Sequence, residues 1–340
     1  MKQIILFAAA LAFISCSEDN SGDAPLGSYD NGILVLNEGG AGSVSYISND
    51  LGTVRQDIFT AVNEGQDIGQ YTQSIFFDGA RAFIISNGSN KITVVNRYSF
   101  EYIATISSGL SVPRYGAVAN GKAYVTNMAS FFSETDDYVA VIDLEDLSVG
   151  EPIAINDLAD RITSGGGKIW VANGAFGSGD SVTVIDPSTE SVVSVIQTGL
   201  APQGLEIVDE TLFVLSSTDG AGSRLARIDT QTMELLDFVE IPGLYASNLD
   251  IEGEIAYFTA GSKIHAMPVW ATEFINLPLL DTMSESDYIG YGFAVNAGRI
   301  YISEAAEDFS SDGRVLIYDL QGNPLADIPA GLGPNGFYFN

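Results

Sequence analysis

One short strand pattern recurs seven times along the 340-residue chain, and this repeat constrains the fold more than any other feature. Each copy has three mostly apolar, β-favouring residues and then a small or polar residue, which is typical of a buried strand that ends in a turn. Successive copies are 50, 40, 46, 43, 44 and 44 residues apart. A period of about 40–50 residues predicts a β-propeller with one four-stranded blade per repeat. The copies end at Asn37, Asn87, Asn127, Asn173, Ser216, Ala260 and Glu304.

The two ends of the repeat region complement each other. A strand rich in small residues precedes each recurring strand except the first, and a copy of that preceding strand, residues 334–339, stands alone at the end of the sequence. Pairing the two would complete one blade and leave no free sheet edge between the first and last blades. The sequence therefore predicts an all-β, seven-bladed β-propeller over residues 30–340, with terminal strands sharing one blade.

The first 29 residues have a different character. Lys2 is followed by an apolar run that is too short to span a bilayer, which predicts a secretory signal peptide over residues 1–15. Ser15 and Cys16, the only cysteine, resemble the lipobox of bacterial lipoproteins, although Phe13 stands where that motif usually has leucine. The resemblance implies lipidation at Cys16; the alternative is a cysteine inside a signal that is cleaved further on.

Residues 16–29 form a polar, acidic stretch that is typical of a flexible tether. Its start resembles the export signal that sends lipoproteins of Bacteroidota to the outer face of the outer membrane. That resemblance implies a lipid-anchored, surface-exposed protein of the outer membrane. A solvated linker that carries no address is the alternative.

Composition argues against several classes of function. The chain has 14 Lys and Arg against 44 Asp and Glu, so a nucleic-acid partner is not expected, because nucleic-acid binding depends on basic side chains. With one cysteine and one histidine, multi-histidine metal sites and Ser-His or Cys-His catalysis are not expected either. The histidine, His265, lies in the strand that follows the recurring strand of the sixth repeat and is predicted to be structural. We expect a binding protein without a cofactor, not an enzyme.

Residues 124–127 read Tyr-Val-Thr-Asn, and the chain resembles the YVTN (YncE-like) propeller family that this motif names. Residues 35–40 and 331–339 resemble the cell-surface propeller lipoproteins of Bacteroidota, of the DUF5074 type. Some members of that group bind cobalamin and pass it to a TonB-dependent outer-membrane transporter. The resemblance implies a surface-tethered protein that binds cobalamin or a related corrinoid, with such a transporter as its partner in vitamin B12 transport.

Loops that lead into the innermost strands and loops that follow the recurring strands should lie on one face, around the mouth of the central channel. Tyrosines, amides and loop phenylalanines collect there, and tyrosine offers broad contact area with a polar tip. Arg114 and Arg161 are the cations of this set, and together they could hold one anionic group such as the cobalamin phosphate. The alternative is an ion pair with Asp160 or another carboxylate. The predicted ligand-binding residues are Tyr71, Gln73, Arg114, Tyr115, Phe131, Phe132, Arg161, Phe176, Gln203, Tyr245, Tyr288, Tyr291 and Asn335.

Two other functions fit the same face. One is recognition of a glycan or a partner protein without a role in transport. The other is a calcium-dependent hydrolase of the lactonase type, which uses carboxylates and amides around the channel. Asparagine ends four of the recurring strands, which favours a structural turn over that chemistry. Acidic loops at residues 133–137 and 307–312 could bind a structural Ca²⁺ weakly. The hydrolase would draw on Glu38, Asn87, Asn127, Asp160 and Asn173.

Overall fold

The computed structural model describes residues 25–340. In this part of the chain, 28 strands form seven antiparallel, four-stranded sheets, and one helix of five residues is present. The sheets are the blades of a seven-bladed β-propeller, as the repeat predicts. The predicted signal peptide, Cys16 and the tether up to residue 24 lie outside the described residues. No helix between residues 25 and 340 is long and apolar enough to cross a membrane.

Each blade is named here by its strands, written from the channel outward. Blade one consists of β28 (Pro334–Phe339), β1 (Gly32–Asn37), β2 (Ser43–Ser48) and β3 (Val54–Arg55). Blades two and three consist of β4 (Thr72–Asp78), β5 (Arg81–Ser86), β6 (Lys91–Asn96), β7 (Tyr102–Ile106), β8 (Pro113–Ala119), β9 (Lys122–Asn127), β10 (Tyr138–Asp143) and β11 (Ile153–Ala154).

Blades four and five consist of β12 (Ile162–Gly165), β13 (Lys168–Ala175), β14 (Ser178–Asp186), β15 (Ser191–Gln197), β16 (Pro202–Val208), β17 (Thr211–Thr218), β18 (Gly222–Asp229) and β19 (Glu234–Ile241). Blades six and seven consist of β20 (Ser247–Glu252), β21 (Ile255–Ala260), β22 (Lys263–Pro268), β23 (Leu280–Asp281), β24 (Ile289–Asn296), β25 (Arg299–Glu304), β26 (Arg314–Asp319) and β27 (Pro324–Pro329). The recurring strand of the sequence is the second strand of every blade.

The ring closes as the sequence predicts, through antiparallel pairing of β28 with β1, in which Val35 lies opposite Phe337. Arg97, at the end of the third strand of blade two, holds this closure from the neighbouring blade. Its Nη2 donates to the Phe339 carbonyl at 2.8 Å and its Nε donates to Asn340 Oδ1 at 2.9 Å. The last residues of the chain are therefore tied to two blades.

The core lies between adjacent blades, because alternate residues of a strand point to opposite faces of its sheet. On β9, Tyr124 packs into the layer shared with blade four, whereas Ala123 and Val125 pack into the layer shared with blade two. Burial of a large apolar side chain stabilises the fold by about 1.5–3 kcal/mol. The recurring strands are apolar on both faces because both faces are buried.

Glycines of the innermost strands allow the blades to approach each other near the channel, as the sequence predicts. A Cβ at Gly116 would lie 2.3 Å from the Phe76 ring of blade two. A Cβ at Gly204 would lie 2.6 Å from the Cβ of Leu249 in blade six. Side chains at these positions would force neighbouring blades apart.

The connection between blades one and two contains the one helix of the described region, α1 (Ile58–Val62). Asp57 caps its start, where the side chain accepts from the Thr60 amide at 3.4 Å. Ile58 and Phe59 are buried in the layer between blades one and two. The helix thus covers this layer on a blade whose outermost strand has only two residues.

Candidate ligand-binding face

The second strand of each blade ends where the innermost strand begins, so the loops at these points share one face. In blade two, Thr72 lies opposite Ser86, and the Asn87 amide donates to the Tyr71 carbonyl at 3.1 Å. We call this face, made of the loops before the innermost strands and after the second strands, the upper face. The predicted ligand-binding residues all belong to these loops or to the first residues of the innermost strands.

Three phenylalanines of the upper face project into solvent. Phe131, Phe132 and Phe176 are 65%, 100% and 79% exposed. Phe131 and Phe176 border one cavity of about 150 Å³ between blades three and four, together with Met128 and Leu158. Apolar rings this exposed are uncommon in clusters and mark contact surfaces. None of these three rings folds back on the core.

A polar network fills the mouth of the channel beside these rings. Gln73 is at its centre: Nε2 donates to the Tyr115 hydroxyl at 2.9 Å, and Oε1 accepts from Asn87 Nδ2 at 3.0 Å and from Arg114 Nη1 at 2.7 Å. Arg114 Nε also donates to Asp160 Oδ1 at 2.8 Å. Arg114 is therefore ion-paired, which is the alternative that the sequence left open for this arginine.

Arg161 is placed differently from Arg114. Its guanidinium carbon lies 4.2 Å from the centre of the Tyr115 ring, in a cation–π contact. Within residues 25–340 the guanidinium makes no hydrogen bond and no ion pair, and only the Arg161 backbone carbonyl is bonded, accepting from the Ala172 amide at 2.8 Å. Arg161 lines a polar cavity of about 80 Å³ in the channel with Gln203, Glu206 and Asn248. Its donors are thus free to bind a ligand.

Glu206 does not neutralise Arg161 at neutral pH. Burial, and then the nearby Asp250 carboxylate, raises the pKa of Glu206 to about 8, even though Arg161 opposes this shift. Burial also raises the pKa of Asp250 to about 6, although the Val295 amide that donates to it at 2.8 Å acts in the opposite direction. The channel therefore retains positive charge at Arg161.

Sequence reasoning missed Glu206 and Asp250. Both lie on innermost strands, in β16 and β20, at positions that other blades fill with apolar, small or polar uncharged residues. A carboxylate in the middle of an innermost strand was the available signal. The pKa and the role of such a carboxylate depend on the strands that face it across the channel, and the sequence does not identify those strands.

The other predicted residues, apart from Tyr71, form four contacts. Gln203 Nε2 donates to the Tyr245 hydroxyl at 2.6 Å. Asn335 Nδ2 donates to the Thr72 carbonyl at 2.8 Å and so joins blade one to blade two. The Tyr291 hydroxyl donates to the Glu38 carboxylate, and the neighbouring Tyr288 packs edge-on against Phe309.

The asparagines that end the recurring strands are largely structural. Asn37, Asn127 and Asn173 are buried. Asn173 Nδ2 donates to the Leu158 carbonyl at 2.6 Å, and Asn127 Oδ1 accepts from the Ser111 amide at 2.8 Å. Of the residues that a lactonase-type site would use, Asn127 and Asn173 are fully buried, so their side chains are not exposed on the upper face. Among the described residues no group of three or more His, Cys, Asp and Glu side chains has the geometry of a metal site.

His265 is buried in blade six, as expected for a structural residue. It stacks on Phe258 with ring centres 5.4 Å apart, and Phe274 packs against both rings, with its centre 5.6 Å from that of His265. Neither ring nitrogen has a hydrogen-bond partner in the described part of the chain. Burial lowers the pKa of this imidazole. The ring therefore serves as a neutral, nearly apolar packing element.

Solved structures with the same fold differ widely in sequence. The computationally designed Ika8 protein gives a TM-score of 0.62 at 12% identity, with 90% of this chain and 87% of that chain covered. Hydrazine synthase of Kuenenia stuttgartiensis gives 0.56 at 18% identity, with 81% and 92% covered. Apo AztD from Citrobacter koseri gives 0.54 at 11% identity, with 90% and 96% covered. At these identities the likeness establishes the fold alone.

No curated protein sequence matches the chain. One family profile does match, described as "Domain of unknown function (DUF5074)", and it spans residues 31–268, from just before β1 of blade one to the end of β22 of blade six. The chain therefore belongs to the DUF5074 family.

Proposed function

We propose that this protein binds a small nutrient on its upper face, and that the ligand is cobalamin or a related corrinoid. The observation that carries the proposal is the Arg161 guanidinium, which stacks on Tyr115 and has no polar partner in the described region. A charged group held in a channel without a protein partner favours a ligand that supplies the opposite charge. Cobalamin carries one phosphate.

The aromatic rim supports a ligand larger than a single anion. Phe131, Phe132 and Phe176 are open to solvent beside the channel mouth, and Phe176 lies 5.8 Å from the Arg114 guanidinium. Rigid aromatic side chains bind broad apolar surfaces at low entropic cost. A corrinoid combines a broad ring system with one phosphate, so it would use the rim and Arg161 together.

The protein would act by affinity alone and hand its ligand to a TonB-dependent outer-membrane transporter. A lipid on Cys16 and the acidic tether would hold the propeller at the cell surface, over that partner. The lipobox resemblance and the acidic stretch after Cys16 support the tether in this part of the proposal. An adjacent gene for such a transporter would be the simplest genomic evidence.

Isothermal titration calorimetry of the purified chain with cyanocobalamin tests the proposal. We expect Arg161→Gln to weaken binding about tenfold or more, as the loss of a charge-assisted hydrogen bond does. Cobinamide, which lacks the phosphate-bearing nucleotide, should bind the unchanged chain more weakly than cyanocobalamin does. It should bind the unchanged chain and Arg161→Gln with the same affinity. Arg55→Gln, on the exposed outer strand of blade one, is the matched control.

The rim is tested separately by replacing Phe131 and Phe132 with alanine. Because both rings are exposed, this change should weaken corrinoid binding without lowering the melting temperature. The absence of heat with any corrinoid would eliminate the corrinoid proposal.

The complete exposure of Phe132 also favours a second function, recognition of a partner protein by this loop. A pull-down from outer-membrane extract that depends on Phe132, together with no corrinoid binding, would support that function. A glycan array provides the corresponding test for carbohydrate ligands.

A further inference from the structure

Three aromatic rings gather on the upper face of blade seven, next to the place where the propeller closes. The Tyr288 and Phe309 ring centres lie 4.7 Å apart with an angle of 81° between their planes. Tyr291 approaches the same Phe309 at 5.6 Å and 64°. The three rings are therefore tilted against one another, so they do not form a flat stack.

Tyr71, which precedes the innermost strand of blade two, adds a fourth ring on the other side of a small cavity. The cavity has a volume of about 60 Å³ and opens to solvent between Tyr71 and Phe309, which are 49% and 41% exposed. Leu332 adds apolar surface to the wall. We call this cavity, with Tyr71 and Phe309 in its wall and with Tyr288 and Tyr291 packed against Phe309, the aromatic cage.

Backbone without side chains forms much of the rest of the cavity lining. Gly39, Gly40 and Gly333 line it, and a Cβ at Gly40 would find no atom within 4 Å. Gly39 and Gly333 have φ of +45° and +62°, in the left-handed region that favours glycine. The chain thus keeps space open beside the aromatic rings.

Glu38 is the charged residue that lines the cage. One of its carboxylate oxygens accepts from the Tyr291 hydroxyl, and no Lys or Arg of the described chain forms an ion pair with it. Arg114 interacts electrostatically with Glu38 from a distance, but its hydrogen bonds go to Asp160 and Gln73. Burial, and then the bond to Glu38, raises the pKa of Tyr291, so that phenol stays a neutral donor.

These features favour a cation as the ligand of the cage. The faces of aromatic rings carry negative electrostatic potential and attract cations, and cages of such rings are the recurrent solution for alkylated ammonium groups. The methyl groups of such a cation bury against the rings, whereas its charge compensates a carboxylate. An anion would be repelled by Glu38, and a neutral apolar group would desolvate that carboxylate without compensation.

We propose that the aromatic cage, with Glu38 at its wall, binds a quaternary or methylated ammonium group. This site is independent of the proposed corrinoid site. The cage binds a cation through Glu38, whereas Arg161 in the corrinoid site binds an anionic group. A trimethylammonium group could belong to a free small molecule or to a lipid headgroup, and both present the same chemistry to the cage.

Choline and 3,3-dimethyl-1-butanol, its neutral isostere, are the probes. Titration of each into the purified chain, followed by calorimetry and by the ligand methyl NMR signal, separates charge recognition from simple apolar contact. We expect choline to bind at least about tenfold more tightly than the isostere, and Glu38→Gln to reduce that preference, because cation–π and carboxylate attraction act only on the charged ligand. Equal binding of the two probes, or no choline binding, would overturn the proposal.

Two cage variants and two controls complete the experiment. Phe309→Leu and Tyr71→Leu should each weaken choline binding about fivefold or more while the melting temperature stays within a few degrees, since both rings line the cavity and are partly exposed. Tyr102→Leu, on the outermost strand of blade two, should leave choline binding unchanged. Arg161→Gln should also leave it unchanged, which separates failure of this proposal from failure of the corrinoid proposal. Unaltered choline binding in both cage variants would place the ligand elsewhere and contradict the proposal.

Cosedimentation with phosphatidylcholine vesicles distinguishes the two sources. Sedimentation that free choline reverses would identify the lipid headgroup as the ligand. Choline binding without sedimentation would identify a free small molecule.

Discussion

Arg114 donates from Nε to Oδ1 of Asp160 at 2.8 Å and so joins the innermost strand of blade three to the loop before the innermost strand of blade four. Both side chains are only 13% exposed. The pair occupies the channel mouth next to Arg161. Arg114 uses its Nε donor in this pair, whereas the donors of the Arg161 guanidinium remain free. Two adjacent arginines on the same face therefore have different roles, one in joining blades and the other in the proposed ligand site.

Breaking this pair from one side should destabilise the propeller. Asp160→Asn leaves Arg114 buried without its counter-charge, and we expect a loss of about 3 kcal/mol in the free energy of unfolding. The double variant Arg114→Met with Asp160→Leu should recover a good part of that loss, because it removes both charges. Urea unfolding measures both effects. If Asp160→Asn were as stable as the unchanged chain, the pair would have no structural role.

Arg97 should stabilise the closure of the ring. Its side chain bonds Phe339 and Asn340 and lies over the Phe77 ring, with the guanidinium carbon 3.7 Å from the ring centre. Arg97→Ala should lower the free energy of unfolding by about 2 kcal/mol, a typical value for charge-assisted hydrogen bonds. Proteolysis at the C-terminus should also become faster. Arg55→Ala, which removes an exposed arginine, should change neither.

Glu206 should make stability depend on pH in an unusual direction for a carboxylate. Its pKa of about 8 in the folded chain is above the ordinary value of 4.5, so the folded state favours the protonated form. This contribution is fully present below pH 4.5 and is lost as pH rises through about 8. The free energy of unfolding of Glu206→Gln, relative to that of the unchanged chain, should therefore be higher at pH 9 than at pH 5. A pH-independent difference between the two would contradict this assignment.

The same titration should control anion binding in the channel. Above pH 8 Glu206 ionises next to Arg161, so the affinity for an anionic ligand should fall as the pH rises from 7 to 9. Glu206→Gln should retain its affinity over this range. Calorimetry with cyanocobalamin at the two pH values provides the measurement. A parallel loss of affinity in both proteins would mean that another group is responsible.

His265 should weaken the fold in acid. Its pKa in the folded chain is lower than the ordinary value of 6.5, so its contribution is present above pH 6.5 and is lost as pH falls through the folded pKa. His265→Phe preserves an aromatic ring in contact with Phe258 and Phe274 and removes two buried nitrogens without partners in the described structure. We expect it to raise the free energy of unfolding by about 1–2 kcal/mol at neutral pH. The gain should be larger at pH 5, and thermal unfolding at both pH values measures it.

The sequence alone determined the architecture of this protein. Seven copies of one strand at a nearly constant spacing determine the number of blades, and the unmatched strands at the two ends determine that β28 pairs with β1. This was possible because each blade is built from consecutive residues, so its pattern of strands and turns is local in the chain. The alternation of buried residues in β9 follows from the same local geometry.

Only the tertiary structure decided which residues of the upper face are available to a ligand. Arg114 and Arg161 have the same chemistry and lie only one position apart in the repeat, yet Arg114 meets Asp160 and Gln73 whereas Arg161 meets the face of Tyr115. The cage residues Tyr71 and Phe309 are 238 positions apart in the sequence and meet at one cavity only because the ring closes. Their contacts depend on how blades face one another across the channel and across the closure, and no local pattern encodes that distance.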